Sequence, residues 1–254
     1  MGEVTGISWT DKTWNPWHGC IKISPGCKNC YMYSDKERFG QDPFTVVRSK
    51  SCFRDPLKWK SGRVFTCSWS DFFIEQADAW RDEAWDIIRH TPHLTYQILT
   101  KRPGRIADHL PKDWGEGWPH VWLGVSVESQ KYADERIPVL VKVPAKIRFL
   151  SIEPLLESIS LRWMAVFGKP YAAQRKDSDR TNHLDGLRKL DWVIVGGESG
   201  PNRRPFSAEW AIKLRDECKE AGTKFFMKQM GGRTPAEGKA AIPPELNIQE
   251  FPEL

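Results

Sequence analysis

Three cysteines near the N-terminus have the spacing C-x6-C-x2-C and occupy positions Cys20, Cys27 and Cys30. Gly19 precedes the first of them, and Pro25-Gly26 favours a turn directly before the second, so the three thiols can lie on one tight loop. Thiolates are the usual ligands of iron–sulfur clusters, and most clusters have four of them. Three cysteines with no fourth nearby therefore predict a [4Fe–4S] cluster with one iron open to a ligand from outside the protein.

An open iron in such a cluster can accept a chelating small molecule. In radical enzymes this molecule is S-adenosyl-L-methionine, which binds through its amino and carboxylate groups and whose sulfonium is then cleaved reductively. The cofactors predicted from the three cysteines are therefore a [4Fe–4S] cluster and S-adenosyl-L-methionine. Because the cleavage consumes an electron, an external electron donor is an expected partner.

Zinc is the alternative metal for the same residues. His18 and the three cysteines would form a Cys3His set, and zinc knuckles use comparable ligands. However, His18 lies only two residues before Cys20, which is a poor separation for two ligands of one tetrahedral ion. The competing hypothesis is a zinc-stabilised DNA-binding or partner protein without redox chemistry. We interpret the remaining cysteines as small buried hydrophobic residues, namely Cys52, Cys218 and, at a strand end, Cys67.

The cysteine loop, taken as residues 14–33, is followed by a series of strand-like runs. Six short runs rich in β-branched and aromatic residues are nearly continuous in apolar character, which is typical of parallel strands buried on both faces. The apolar residues after the first run have the spacing of a helix, which Pro92 ends. A later predicted helix has Ser207 as its N-cap and Gly222 as its C-cap. This alternation predicts βαβ units. The runs cover residues 64–69, 94–100, 121–127, 147–152, 192–195 and 224–227.

The predicted fold class is α/β, in the form of a partial (β/α) barrel of six or seven units. An incomplete barrel is favoured over an open doubly wound sheet, and it would form a single domain over residues 1–230. Residues 231–254 are rich in Gly, Pro and Glu and are predicted to form a C-terminal extension. Residues 168–190 are polar and lack periodicity, so we interpret them as an insertion loop that either faces a substrate or is a surface excursion.

Polar and charged residues follow the predicted strands, and active-site groups of (β/α) barrels lie at these C-terminal ends. Ordinary caps and surface ion pairs also occur at such positions. The strand ends carry Ser68, Ser70, Asp71, Lys101, Arg102, Ser126, Glu128, Glu153, Glu198 and Lys228. A basic rim that would hold nucleic-acid phosphates comprises Lys101, Arg102, Arg203, Arg204 and Lys228, with a scattered basic surface as the alternative. The other predicted substrate contacts are Glu153 and two tryptophans that could stack on a base, Trp17 and Trp69.

The composition is that of an ordinary globular protein, with 254 residues of which 40% are hydrophobic and 28% charged. No apolar run is long enough to span a bilayer, and the first residues lack the apolar core of a signal peptide, so a cytoplasmic protein is expected. Thiols stay reduced in the cytoplasm, which favours a metal site over disulfides. The net charge of +5 permits an anionic partner such as nucleic acid. We expect a monomer.

Two motifs of the cysteine loop resemble a known superfamily. Asn15-Pro16-x-x-Gly19-Cys20 and Gly26-Cys27-x-x-Cys30-Tyr31 resemble the cluster loop of radical S-adenosylmethionine proteins related to spore photoproduct lyase. That superfamily usually has three residues between its first two cysteines, and this chain has six. Over nearly its full length the chain is similar to a phage-borne three-Cys-motif family, through LGVSVESQKYADERIP, IRFLSIEPLL, DWVIVGGESG and FFMKQMGG.

The resemblance implies a radical-SAM-like barrel and gives the strand ends individual roles. The residues implied in binding S-adenosyl-L-methionine are Ser68, Ser70 or Asp71 for the amino group, Ser126 and Glu128 for the ribose and methionyl carboxylate, and Gly196, Gly197 and Glu198 for the adenine or substrate. The implied activity modifies or rearranges a nucleic-acid base, in particular a hypermodified thymine in phage DNA, as an aminoacylated-thymidine isomerase would. The expected partner is DNA or a modified nucleotide in the cytoplasm of a host cell, with the target base flipped out of a duplex.

Overall fold

The computed structural model describes residues 5–162, 184 and 186–253 of the chain. The fold is mixed α/β. The strands are β1 (Lys12–Trp14), β2 (Trp17–His18), β3 (Val47–Arg48), β4 (Gly62–Thr66), β5 (Leu94–Thr100), β6 (Val121–Ser126), β7 (Ile147–Ile152), β8 (Trp192–Gly196) and β9 (Lys224–Gln229). The α-helices are α1 (Tyr31–Arg38), α2 (Asp78–His90), α3 (Gln130–Leu140), α4 (Ala208–Ala221) and α5 (Pro235–Ala240).

The chain divides into two compact units. The first unit comprises residues 1–124 and 144–146, and the second comprises residues 125–143 and 147–254. Strand β6 begins in the first unit and ends in the second. The single domain predicted over residues 1–230 stays a prediction.

In the first unit, β4 lies between β1 and β5 and is parallel to both, with Val64 opposite Lys12 of β1 and Tyr96 of β5. Strand β5 is an apolar run whose residues are mostly buried, as expected for a strand covered on both faces. Helix α2 buries Ala84, Trp85 and Ile88 on one face and ends at His90, two residues before Pro92. Because the three strands are parallel, their carboxyl ends lie at one edge of the sheet.

In the second unit, β7, β8 and β9 are also parallel neighbours. Helix α4 connects β8 to β9 and has the two predicted caps: the Ser207 side chain accepts a hydrogen bond from Glu209 N, and Gly222 is left-handed with φ 77°. The C-terminal segment packs on this sheet, since Trp192 Nε1 donates to Glu250 O at 2.8 Å and the Trp192 ring lies 5.2 Å from that of Phe251. Residues beyond 230 therefore complete the second unit.

The strand order is β1-β4-β5-β6-β7-β8-β9, so neighbours in the sheet are also successive strands of the series along the chain. This order is that of a (β/α) barrel, and the predicted α/β class is confirmed. Strand β4 is shorter than predicted because Cys67, the residue after its end, has a left-handed φ of 66°. The predicted insertion loop at 168–190 lies largely outside the described residues. None of the helices within them is long and apolar enough to cross a bilayer.

Candidate functional site

The cysteine loop begins directly after β1 and is tied to the end of β4 by one side-chain amide. Asn15 Nδ2 donates to Ser68 Oγ at 2.9 Å, and Asn15 Oδ1 accepts from Trp69 N at 2.7 Å. The preceding Trp14 is buried and its Nε1 donates to Cys52 O and Phe53 O. The start of the loop is therefore fixed to the carboxyl ends of two parallel strands.

Gly19 fixes the loop immediately before the first cysteine. Its φ is +97°, and a Cβ atom there would lie 2.2 Å from Thr45 O, so only glycine fits. Gly19 N donates to Trp69 O at 3.0 Å, and Ser70 Oγ donates to Gly19 O at 2.7 Å. Ser70, one of the residues predicted to bind the cofactor, therefore hydrogen-bonds the backbone of the cysteine loop.

The three cysteines follow this fixed point on a short path. Cys27 is buried at the end of a 3-10 turn over Pro25–Cys27, whereas Cys20 and Cys30 are half-buried. Cys30 is the residue before α1, and Tyr33 on that helix donates from its hydroxyl to Cys20 O at 2.7 Å. All six cysteines of the chain are free thiols.

The pKa values of Cys20 and Cys30 depend on the groups around them. Burial, the carboxylate of Asp71 and the neighbouring Cys27 and Cys30 together raise the pKa of Cys20 to about 12, and Arg102 opposes them. Burial also raises the pKa of Cys30, where Cys27 acts in the same direction and Lys101 against it. The three thiols and two cations therefore lie within electrostatic reach of one another.

The donor set suits a thiolate-bound group, although the thiols are not arranged as ligands. Within the described residues no three or more His, Cys, Asp or Glu side chains form a group that could hold a metal ion as they stand. A bound ion or cluster would have to turn the thiols toward one centre. Thiolates carry negative charge, and the positive side chains of Arg102 and Lys101 beside them offset it. The residue chemistry fits a cluster or a metal ion.

His18 does not join the thiols in this arrangement. It lies in β2, and the pKa of its imidazole is lowered by burial and by Lys36, with no cysteine contributing. Its Nδ1 is buried and has no hydrogen-bond partner among the described residues. The Cys3His set of the zinc hypothesis is therefore not assembled here.

Asp71 lies beneath the loop as a buried carboxylate with four donors. It accepts from Phe73 N at 2.9 Å, Thr100 Oγ1 at 2.6 Å, Lys101 N at 2.9 Å and Arg102 Nη1 at 3.0 Å. This carboxylate, which the resemblance assigns to the methionine amino group, joins the segments after β4 and β5.

Arg102 links this carboxylate to the cysteine loop. Its Nη2 donates at 3.0 Å to the carbonyl oxygen of Ile21, the residue that follows Cys20. Arg102 was predicted to contact phosphate, and the structure directs its guanidinium to Asp71 and the loop. Sequence reasoning missed this bridge, because residues 20, 71 and 102 are far apart along the chain.

The two predicted stacking tryptophans differ in exposure. Trp17 is fully buried, its Nε1 donates to Asp71 O at 3.1 Å, and its ring packs 5.3 Å from that of Phe72. Trp69 is half-buried beside Asn15. The burial of Trp17 agrees with the general expectation that most tryptophans of this chain pack in the core.

In the second unit, the charged residues at the strand ends contact one another. Arg136 Nη1 donates to Ser126 O at 2.7 Å and to Glu128 Oε2 at 3.0 Å, and both charged side chains are buried. Lys228 Nζ lies 2.8 Å from Glu153 Oε1, while Ser151 Oγ donates to the other oxygen of Glu153. The carboxylates after β6 and β7 are therefore both paired with cations of the same unit.

The segment after β8 is packed closely against the end of β9. A Cβ atom on Gly196 would lie 3.0 Å from Glu153 Oε1, and one on Gly197 would lie 2.5 Å from Gly231 N. Glu198 is ion-paired with Arg204, which also donates its backbone N to Glu198 Oε2 at 2.8 Å. These glycines serve a close backbone approach within the unit, and their predicted contact with adenine stays a prediction.

Comparison with known proteins gives one match. The sequence matches the model of a family described as "Protein of unknown function (DUF5131)" over residues 4–251. No curated protein and no solved structure matches this chain.

Proposed function

The chain belongs to the DUF5131 family, and we propose that it binds a [4Fe–4S] cluster through Cys20, Cys27 and Cys30 and uses it for S-adenosyl-L-methionine radical chemistry. One observation carries the proposal. The three free thiols lie on one loop at the carboxyl edge of a parallel sheet, close enough for Cys27 to raise the pKa values of Cys20 and Cys30. In barrels of parallel strands, this edge is where cofactors and substrates bind.

The donor count favours a cluster over structural zinc. Structural zinc sites use four protein ligands, whereas a cluster bound by three thiolates leaves one iron for a small molecule. The nearest polar side chains do not provide a fourth protein ligand. His18 does not act on the thiols, and Asp71 already accepts hydrogen bonds from four donors.

The residues around the thiols have defined tasks in this proposal. A bound cluster supplies the electron that cleaves the sulfonium of S-adenosyl-L-methionine. Asn15 and Gly19 fix the position of the start of the loop, and this limits the positions that the thiols can take. Cys20 and Cys30 give up their protons on binding, and the positive charge of Arg102 beside Cys20 stabilises the resulting thiolate.

The proposed substrate class is a nucleic-acid base, in particular a modified thymine in DNA. Support for it comes from the net charge of +5 and from the resemblance of the cysteine loop to radical S-adenosylmethionine proteins. Arg203 is exposed on the second unit and is a candidate for a phosphate contact there.

Anaerobic purification followed by metal analysis tests the proposal. We expect a brown protein that contains iron and acid-labile sulfide and that, with a reductant, converts S-adenosyl-L-methionine to 5'-deoxyadenosine and methionine. The variant Cys218→Ala serves as a control, because Cys218 is buried on α4 in the second unit. A colourless protein that contains zinc would overturn the proposal and support the zinc-stabilised binding protein instead.

A further inference from the structure

We infer that Arg102 is a positioning residue for the proposed cluster: its guanidinium holds the backbone of the cysteine loop, at the Ile21 carbonyl next to Cys20, against the buried Asp71 carboxylate. This inference rests on the proposed function, because it assigns Arg102 a role toward the group that the cysteines bind. It replaces the phosphate contact predicted for this residue from the sequence.

The contacts of Arg102 span the space between the sheet edge and the loop. Nη1 donates to Asp71 Oδ2 at 3.0 Å, and Nη2 donates to Ile21 O at 3.0 Å. Only 13% of the Arg102 side chain is exposed, and 5% of the Asp71 side chain. The guanidinium therefore makes its contacts inside the protein and is too buried to bind the phosphates of a nucleic acid.

Asp71 gives this guanidinium a fixed position. The same carboxylate accepts hydrogen bonds from Phe73 N, after β4, from the hydroxyl of Thr100, the last residue of β5, and from Lys101 N, directly after β5. A side chain held by its own hydrogen-bond partners presents its functional group with little freedom. Arg102 therefore fixes the carbonyl of Ile21 relative to the carboxyl ends of β4 and β5.

The guanidinium of Arg102 also places a positive charge beside the cysteine loop, because its Nη2 lies 3.0 Å from the carbonyl oxygen of Ile21, the residue after Cys20. A cation next to a thiolate ligand stabilises the more negative, reduced form of the group bound to it. Removing the cation makes reduction less favourable, and removing the hydrogen bond that holds the ligand loop weakens metal binding.

Arginine suits this role better than lysine would. The planar guanidinium can donate to a carboxylate and a carbonyl at the same time, whereas an ammonium is a compact point charge. The two functions of Arg102 can therefore be separated. Lysine would keep the charge but lose the bridge, and glutamine would lose both.

Arg105 provides a matched control three residues further along the chain. Its Nη2 donates to the Asp78 carboxylate at 2.8 Å and its Nε donates to Phe73 O at 2.8 Å, so it also joins a carboxylate to a backbone oxygen. Its hydrogen-bond and ion-pair partners within the described residues include no cysteine. Arg105→Gln therefore removes a more exposed ion pair of the same type, with Asp78 47% exposed, without changing the charge next to Cys20.

The experiment compares reconstituted wild-type protein with Arg102→Gln, Arg102→Lys and Arg105→Gln. Two properties are measured: the reduced-to-oxidised ratio of the cluster at a fixed solution potential, by absorbance, and the rate of iron release to a chelator. For Arg102→Gln we expect a ratio about tenfold lower, which corresponds to losing one charge-assisted hydrogen bond, and iron release at least about tenfold faster. Arg102→Lys should keep the ratio within about twofold but release iron faster.

The results separate the inference from the proposed function. Wild-type protein that takes up no iron and sulfide overturns both. If the wild-type protein is loaded, a ratio and release rate for Arg102→Gln that match those of Arg105→Gln overturn the inference alone. Should Arg102→Gln fail to fold, Arg102→Lys decides: iron release at the wild-type rate in that variant would show that no bridge is needed.

Discussion

The strand ends of the two units carry similar residue types but use them differently. In the second unit the carboxylates pair with cations nearby: Glu153 with Lys228, and Glu198 with Arg204. In the first unit the ion pair of Asp71 and Arg102 continues outward to a loop that carries thiols. Charged residues at strand ends therefore differ in what they contact. In the second unit each carboxylate ends in an ion pair, whereas in the first unit the ion pair also binds the cysteine loop.

Under the proposed function, the chemistry belongs to the first unit, and the paired residues of the second unit have a supporting role. The buried pair of Glu128 and Arg136 is the clearest case in the second unit, since neither side chain is available to solvent. Breaking one partner of such a pair leaves a buried charge and costs stability. Substitutions in the first unit should instead affect loading of the cluster.

The largest expected effect comes from the cysteines themselves. Replacing Cys20, Cys27 or Cys30 singly by Ala should remove about nine-tenths or more of the bound iron and sulfide, because each supplies one of only three thiolates. Metal and sulfide analysis of anaerobically reconstituted protein measures this. Circular dichroism should show a fold close to that of the wild type, since the loop lies outside the sheet. Cys218→Ala should keep full iron content. Full iron content in all three loop variants would contradict the placement of the cluster in the first unit.

A second test concerns the fixed point of the loop. Gly19→Ala should lower the free energy of unfolding by about 3 kcal/mol, because it adds both a clash with Thr45 O and left-handed strain. Gly40→Ala is the matched control, since Gly40 also has a positive φ, of +65°, but has nothing within 4 Å of an added Cβ. It should cost about 1 kcal/mol. Urea denaturation measures both values, and equal losses would show that the contact with Thr45 is unimportant.

A third test addresses the paired charges of the second unit. Lys228→Met should destabilise the protein by about 2 kcal/mol, because it leaves the Glu153 carboxylate without its cation in a partly buried position. Lys224→Met lies on the same strand and removes a 3.9 Å contact to Glu253, which is almost fully exposed, so its effect should stay within about 0.5 kcal/mol. Thermal or urea unfolding separates the two. A stable Lys228→Met protein that has lost activity would instead give Lys228 a role with substrate.

The smallest expected effect concerns nucleic-acid binding. Arg203 is exposed and its Nη1 lies 3.4 Å from Gly200 O, whereas Arg204 is ion-paired with Glu198. If the target is DNA, Arg203→Gln should reduce the slope of log affinity against log salt by about one, because one phosphate contact is lost. Arg204→Gln should mainly lower stability. Titration of DNA over a salt series measures the slope, and salt-independent processing of a free nucleoside would point to a small-molecule substrate.

Much of the sheet could be predicted from the sequence because buried parallel strands are apolar throughout. Strands β5 and β7 have the predicted bounds, and the caps of α4 at Ser207 and Gly222 are those expected from residue type. Local composition is sufficient in such cases. It was insufficient at β4, where the left-handed backbone of Cys67 ends the strand early.

The contacts of the candidate site were less accessible to sequence reasoning. The predicted strand ends include Asp71 and Arg102, but the pattern does not show which charges pair, since that depends on side chains about 30 residues apart. Trp17 illustrates the same difficulty, because an aromatic residue near a cysteine looks alike in sequence whether it is buried or exposed. The spacing of residues in the sequence identifies candidate side chains. Only the fold shows which of them already form hydrogen bonds or ion pairs within the protein.

The contact between Gly19 and Thr45 also determines where this loop can change length. With Gly19 clamped between the Thr45 carbonyl and the Trp69 backbone, an insertion anywhere from residue 15 to residue 19 would displace the first cysteine from the sheet edge. Residues 22 and 23 are exposed and lie between the Ile21 carbonyl, to which Arg102 donates, and Ser24, whose carbonyl accepts from Cys27 N. A tag or a longer segment grafted into this loop should therefore be placed between Ile21 and Ser24.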